Sequence, residues 1–254
     1  MGRKSRLNQL NQEINSCEKC DLHSSRQNIL TGEGYPNSRL FFIPQAPGEK
    51  EDKQNKMFVG PSGEIFRELI KNANLDWDDF YISNLIKCKL PNNRAPKQVE
   101  INTCSIYLDQ EIEIVDPDIL VPLGYYSTKY IFNKYGIVED LARDKFPDYT
   151  AKFQKNENKK IFPLAHPATL LYKPELESVI KKNYQKLESF TSECKWFSLC
   201  PMRRFTEEGQ LDEKWVEFYC KGNWKSCKRY QMEEKGRYHP DNMLPDGSID
   251  ESLD

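Results

Sequence analysis

Four short apolar runs punctuate the first two thirds of the chain: Leu40 to Ile43, Phe80 to Ile86, Ile119 to Leu123 and Ile161 to Leu164. Each is bounded by polar or turn-forming residues, the pattern of a strand buried on both faces. Between them, apolar positions recur at helical spacing. Glu64 to Asn72 sets Ile65, Phe66, Leu69 and Ile70 on one face, and similar patterns run from about Pro96 to Val115 and from Ser127 to Lys134. Strands alternating with helices predict an α/β fold, a four-stranded parallel sheet flanked by helices. A last amphipathic helix, about Pro174 to Phe190, carries Leu176, Val179, Ile180, Tyr184 and Leu187 on one side and closes this domain near residue 192. In such a sheet the segments that follow the strands emerge at one edge, where open α/β folds bind ligands. Those segments are Pro44 to Gly48, Asn84 to Arg94, Gly124-Tyr125-Tyr126 and Ala165-His166-Pro167.

Length and cysteine usage extend this picture. A chain of 254 residues accommodates one α/β domain, residues 1–192, and a smaller cysteine-rich tail, residues 193–254. The polar stretch from Asp246 onward reads as poorly ordered. No run of about 18 or more apolar residues is present and the start, Met1 to Gln12, is polar, so no membrane association and a cytoplasmic location are expected. In a reducing cytosol the eight cysteines read as metal ligands rather than disulfides. They fall into two sets: Cys17, Cys20, Cys88 and Cys104, then Cys194, Cys200, Cys220 and Cys227. Four thiolates hold zinc or an iron-sulfur cluster equally well, and spacing does not choose between them. The net charge of −2 does not advertise a nucleic-acid binder. Lys87, Lys89, Arg94 and Lys97 would supply a local basic surface, although each alone reads equally as part of a solvated face.

The motifs at the sheet edge carry a resemblance. Gln45-Ala46-Pro47-Gly48-Glu49-Lys50-Glu51-Asp52 is followed by Phe58-Val59-Gly60-Pro61-Ser62-Gly63, by Tyr81 to Cys88, by Asn93-Arg94-Ala95-Pro96, by Leu123-Gly124 and by His166-Pro167-Ala168-Thr169-Leu170-Leu171. In order and approximate spacing these segments resemble family 4 uracil-DNA glycosylases, whose patterns run close to GEAPGxxED and PFVGxAG. The resemblance implies an enzyme of DNA repair that hydrolyses the N-glycosidic bond of deoxyuridine, releasing uracil and leaving an abasic site. It also implies uracil-containing DNA as partner, a monomer, and a [4Fe-4S] cluster on Cys17, Cys20, Cys88 and Cys104.

Such an enzyme must take uracil from the base stack, hold it in a tight pocket and stabilise negative charge on the departing base. By resemblance, Phe58 stacks on the flipped ring; alone it would read as a core phenylalanine. Asn84, ending an apolar strand, can accept from uracil N3-H and donate to O4, the reverse of what cytosine presents. His166 is placed to donate to uracil O2, and Glu51 to orient water or stabilise the cationic sugar. Gln45 and Ala46 belong to the same wall. A related family has a catalytic aspartate at position 46, so that water-activating group is absent here. Pro44 and Gln45 stand in place of Gly-Glu, and Ala168 in place of serine.

Two competing functions differ in class. One is a relative that is covalently trapped on its uracil site, but its characteristic histidine insertion has no counterpart between Cys88 and Cys104. The other is a non-catalytic iron-sulfur module that binds DNA damage through a decayed pocket. In the tail, the second cysteine set is a possible second metal site, zinc or iron-sulfur. Lys221, Trp224, Lys225, Lys228 and Arg229 are candidates for contacting nucleic acid or a repair or replication protein.

Overall fold

The computed structural model describes residues 2–156, 159–190, 194, 196–197 and 199–253. The chain divides into two units, Met1–Leu187 and Glu188–Asp254. The boundary expected at 192 lies outside the described residues.

In the first unit the apolar runs become adjacent strands because each is buried on both faces. Chain order is α1 (Arg3–Asn15), β1 (Glu33–Gly34), β2 (Leu40–Ile43), α2 (Glu49–Gln54), α3 (Pro61–Asn72), β3 (Phe80–Ile82), α4 (Gln98–Val115), β4 (Ile119–Pro122), α5 (Tyr125–Lys134), α6 (Phe146–Tyr149), β5 (Gln154–Lys155), β6 (Lys160–Ile161), α7 (Thr169–Tyr172) and α8 (Glu177–Gln185). The sheet order is β1-β3-β2-β4-β6-β5. Its middle four strands, β3, β2, β4 and β6, are parallel, with Leu40 level with Phe80 on one side and Ile119 on the other. The α/β class is therefore as expected, but the sheet has six strands rather than four. Both additions are antiparallel two-residue edges, β1 on β3 and β5 on β6. Neither contains an apolar residue, so neither registers in a search for hydrophobic runs.

The run Phe80 to Ile86 is a strand only to Ile82. Beyond it the chain stays pinned to the β2 loop, because the amides of Leu85 and Ile86 donate to the carbonyls of Pro44 and Gln45 at 2.9 Å each. Apolar burial thus continues without a regular ladder, and Asn84 is held beside the segment that follows β2. On the opposite side α1 packs Leu7, Leu10 and Ile14 into the core that also takes Leu108, Ile112 and Val115 from α4.

The second unit contains α9 (Pro201–Glu207), α10 (Glu213–Trp215), a π-helical turn at Val216–Cys220 and α11 (Lys228–Glu233). The terminal stretch expected to be poorly ordered is instead folded. Met243 bridges Ile249, and Leu244 and Leu253 join Met202, Phe205 and Leu211 in a small core. Two local turns make this possible, with Asp246 accepting from Ser248 and Asp250 from Ser252, each through amide and hydroxyl. Among the described residues no helix is long and apolar enough to cross a membrane.

Candidate active site

Three loops at the carboxyl ends of the parallel strands meet α2, the α2–α3 turn and α3 around one small cavity. Pro44, Ala46, Pro47 and Gly48 come from the β2 loop, Glu51 from α2, Met57 and Phe58 from the α2–α3 turn, Ser62 from α3, Asn84 from beyond β3 and His166 from beyond β6. Strand β4 contributes through Gly124. Its φ of +83° suits glycine, and an added Cβ would lie 3.2 Å from the His166 Cβ. Of the residues expected from sequence, the structure brings together Ala46, Glu51, Phe58, Asn84 and His166. Gln45 is not on the wall; its carbonyl is spent on the Ile86 amide. Tyr125 and Tyr126 also point elsewhere, both under the guanidinium of Arg143.

His166 has a defined chemical state. Burial pushes its pKa down to about 4, so the ring is neutral at pH 7. Nδ1 accepts the Ala168 amide at 3.1 Å, which leaves the proton on Nε2 as a donor. The backbone of position 168 does this, so the alanine there does not cost the imidazole its orientation. The loop is braced from α8, where the Tyr184 hydroxyl donates to the Ala165 carbonyl at 2.9 Å.

Phe58 is held in an unfavourable backbone conformation, φ +53°, uncommon for a bulky side chain. One face of its ring stacks on Phe66, with centroids 4.3 Å apart and planes 20° apart. Its relation to His166 is also nearly parallel, 6.4 Å and 24°. Gly63 permits this arrangement, since any Cβ there would meet the Phe58 carbonyl oxygen at 2.0 Å. Glu51, only 7% exposed, accepts the Gly60 amide at 2.7 Å. Its carboxylate occupies space that a Cβ on Gly48 or Gly60 would take.

Two wall residues escaped the sequence reading. Met57 precedes the recognisable motif and reads simply as an apolar residue, yet its sulfur accepts from Asn84 Nδ2 at 3.2 Å. Sulfur is a weak acceptor, readily exchanged for a carbonyl oxygen. Ser62 stands within the motif, but its hydroxyl carries no signal of its own. The cavity is small, about 30 Å³.

The first cysteine set also converges. Cys17, Cys20, Cys88 and Cys104 line one cavity with Arg26 and Tyr107. The Arg26 guanidinium donates to Cys88 Sγ at 3.2 Å and to the Cys17 carbonyl at 2.8 Å, while the Lys87 amide donates to Cys104 Sγ at 3.2 Å. Burial pushes Cys104 up to about 12, partly opposed by Lys87, and burial raises Cys88 against the pull of Arg26. Such thiols ionise when a metal supplies positive charge. Among the described residues no three ligand side chains converge on one ion-sized point; the thiols stand around a cavity instead. The donor type and the N-H···S bonds fit a thiolate-bound centre such as an iron-sulfur cluster.

Lys87 is not part of a DNA-contacting surface. It is fully buried and ion-paired with Glu111, and its ammonium also reaches Ser83. Arg94 is likewise engaged, clamped onto Glu100. An isolated lysine in a sequence gives no sign of a carboxylate 24 positions away.

In the second unit all four remaining cysteines, Cys194, Cys200, Cys220 and Cys227, line one cavity of about 380 Å³.

Among known proteins, residues 31–192 match the model of the family described as the Uracil DNA glycosylase superfamily. The chain belongs to that superfamily. A type-4 uracil-DNA glycosylase of Sulfurisphaera tokodaii is 40% identical over 183 residues, covering 71% of this chain and 83% of the relative. One of Saccharolobus solfataricus is 37% identical over 182 residues, covering 71% and 84%. Another, of Thermotoga maritima, is 32% identical over 183 residues, covering 71% and 92%. The superfamily match ends at 192, before the second cysteine set.

Proposed function

We propose that this chain is a uracil-DNA glycosylase that hydrolyses the bond between uracil and deoxyribose in DNA and leaves an abasic site. The observation that carries this reading is the neutral, oriented His166, facing the same cavity as Asn84, Phe58 and Glu51. A flipped uracil stacks on the free face of Phe58. Its N3-H and O4 meet the Asn84 amide, O4 replacing the Met57 sulfur on Nδ2, whereas cytosine offers the reverse pattern. As the glycosidic bond breaks, electrons pass to the base and charge grows on O2. His166 Nε2-H donates to that oxygen, and a neutral imidazole does so without giving up its proton. The sugar becomes cationic beside the Glu51 carboxylate, which stabilises it and orients the incoming water. That water adds to C1′ and its proton leaves to solvent. With alanine at 46, leaving-group stabilisation supplies much of the rate.

Cys17, Cys20, Cys88 and Cys104 would hold a [4Fe-4S] cluster. When bound, it cross-links the N-terminal segment to the loop between β3 and α4, a structural contribution. Arg26 lies between that set and the active-site helix, because the adjoining Gln27 and Asn28 amides donate to Asp52 of α2. Uracil-containing DNA is the partner and the active form is a monomer. The test is single-turnover excision from single-stranded and U:G oligonucleotides, followed by alkaline cleavage. Intact strands in both would exclude the enzyme and favour a binding module.

A further inference from the structure

We infer that the second unit binds its own metal centre, thiolate-ligated zinc or an iron-sulfur cluster, through Cys194, Cys200, Cys220 and Cys227, with Arg229 as a buried counter-charge. This inference is independent of the glycosylase reading, since no part of it uses the active site.

Three observations meet at one cavity. First, four thiols from separate segments line it. Cys194 is tied to Cys220 by a backbone hydrogen bond of 2.7 Å, Cys200 precedes α9, Cys220 ends the π-helical turn and Cys227 precedes α11. A π-helical turn is rare and often marks a functional position. Here it is accommodated by Gly222, where a Cβ would lie 2.6 Å from the Phe218 carbonyl oxygen.

Second, Arg229 lines the same cavity and is 3% exposed. Nη1 donates to the carbonyls of Pro240, Asp241 and Met243 at 2.7–2.9 Å, while Nε has no partner. Among the described residues no carboxylate pairs with it. A buried cation without a counter-charge is strongly unfavourable, and a thiolate-ligated metal centre supplies negative charge within the cavity.

Third, the apolar clusters of this unit are small. A unit with so small an apolar core gains its folding free energy from such a centre. Arg229 then links the metal centre to the 240–243 segment that precedes the terminal turns.

The test is iron, acid-labile sulfide and zinc analysis of anaerobically purified full-length protein, of Cys220→Ser/Cys227→Ser and of Cys88→Ser/Cys104→Ser. Two [4Fe-4S] clusters give roughly eight irons and eight sulfides per wild-type chain and roughly four in each double variant. Mössbauer spectra of the intact wild type, which do not depend on a variant folding, resolve two cluster environments where the second centre is iron-sulfur. One zinc per chain that disappears in Cys220→Ser/Cys227→Ser supports the inference with zinc as the metal. Iron and zinc both unchanged between wild type and that variant overturn the inference.

Discussion

Gly63→Ala is a chemically silent substitution with a defined steric consequence. The new methyl would stand 2.0 Å from the Phe58 carbonyl oxygen and 2.2 Å from its carbonyl carbon. Ordinary contact between such atoms is about 3.5 Å, so the two segments must part by about 1 Å or more. Phe58 already occupies a left-handed conformation that costs about 1–3 kcal/mol, and it is the element that yields. Overpacking costs about 1–3 kcal/mol, offset by up to about 1 kcal/mol because alanine favours the helix over glycine. Net destabilisation is then about 0–3 kcal/mol, toward the upper end because the clashing atoms are all backbone, and is read as a shift in urea midpoint. Catalysis suffers more, because a displacement of about 1 Å in a positioning group lowers rates about 10²-fold. The assay is single-turnover excision with enzyme in excess over a labelled uracil oligonucleotide, alongside urea unfolding. A wild-type excision rate in a folded Gly63→Ala protein would refute the claim that the Phe58 position sets the pocket.

Other outcomes follow from the same geometry. His166→Ala should lower single-turnover excision by about 10²–10³-fold with little change in DNA affinity, read by rate and gel shift. The folded His166 pKa of about 4 lies below the ordinary 6.5, so the unfolded chain takes up the proton first. Stability contributed by the neutral ring is therefore complete above 6.5 and is lost as pH falls toward 4, by at most about 3 kcal/mol; urea midpoints of wild type and His166→Gln across that window measure it. Asn84→Asp should release cytosine from a C-containing strand, detected by alkaline cleavage. Lys87→Met leaves Glu111 buried without its cation and should cost about 3–5 kcal/mol, much of it recovered in Lys87→Met/Glu111→Leu.

The parallel heart of the fold was legible because β2, β3 and β4 fall in runs of buried residues and the run from Ile161 continues the pairing of β6 with β4 through the Phe162 and Leu164 amides, and the site because loops after parallel strands share an edge. What escaped has physical reasons. Edge strands such as Glu33–Gly34 are polar and made by backbone pairing, which hydropathy does not report. Lys87 looked like surface charge because its partner, Glu111, is contributed by another element across the core. Met57 acts through a hydrogen bond to Asn84 that no motif encodes. Gln45 sits in the right segment, but the loop uses its backbone. The tail end folds on Leu244 and Leu253, two residues too sparse to mark a core in a polar stretch.

The most direct test of the central claim is the fate of a single deoxyuridine in a defined oligonucleotide incubated with an excess of the anaerobically purified protein. The account predicts free uracil and an alkali-labile abasic site in equal amounts, with the matching cytosine strand untouched. Recovery of the uracil strand intact, in both single-stranded and U:G form, while the protein binds it, would contradict the account.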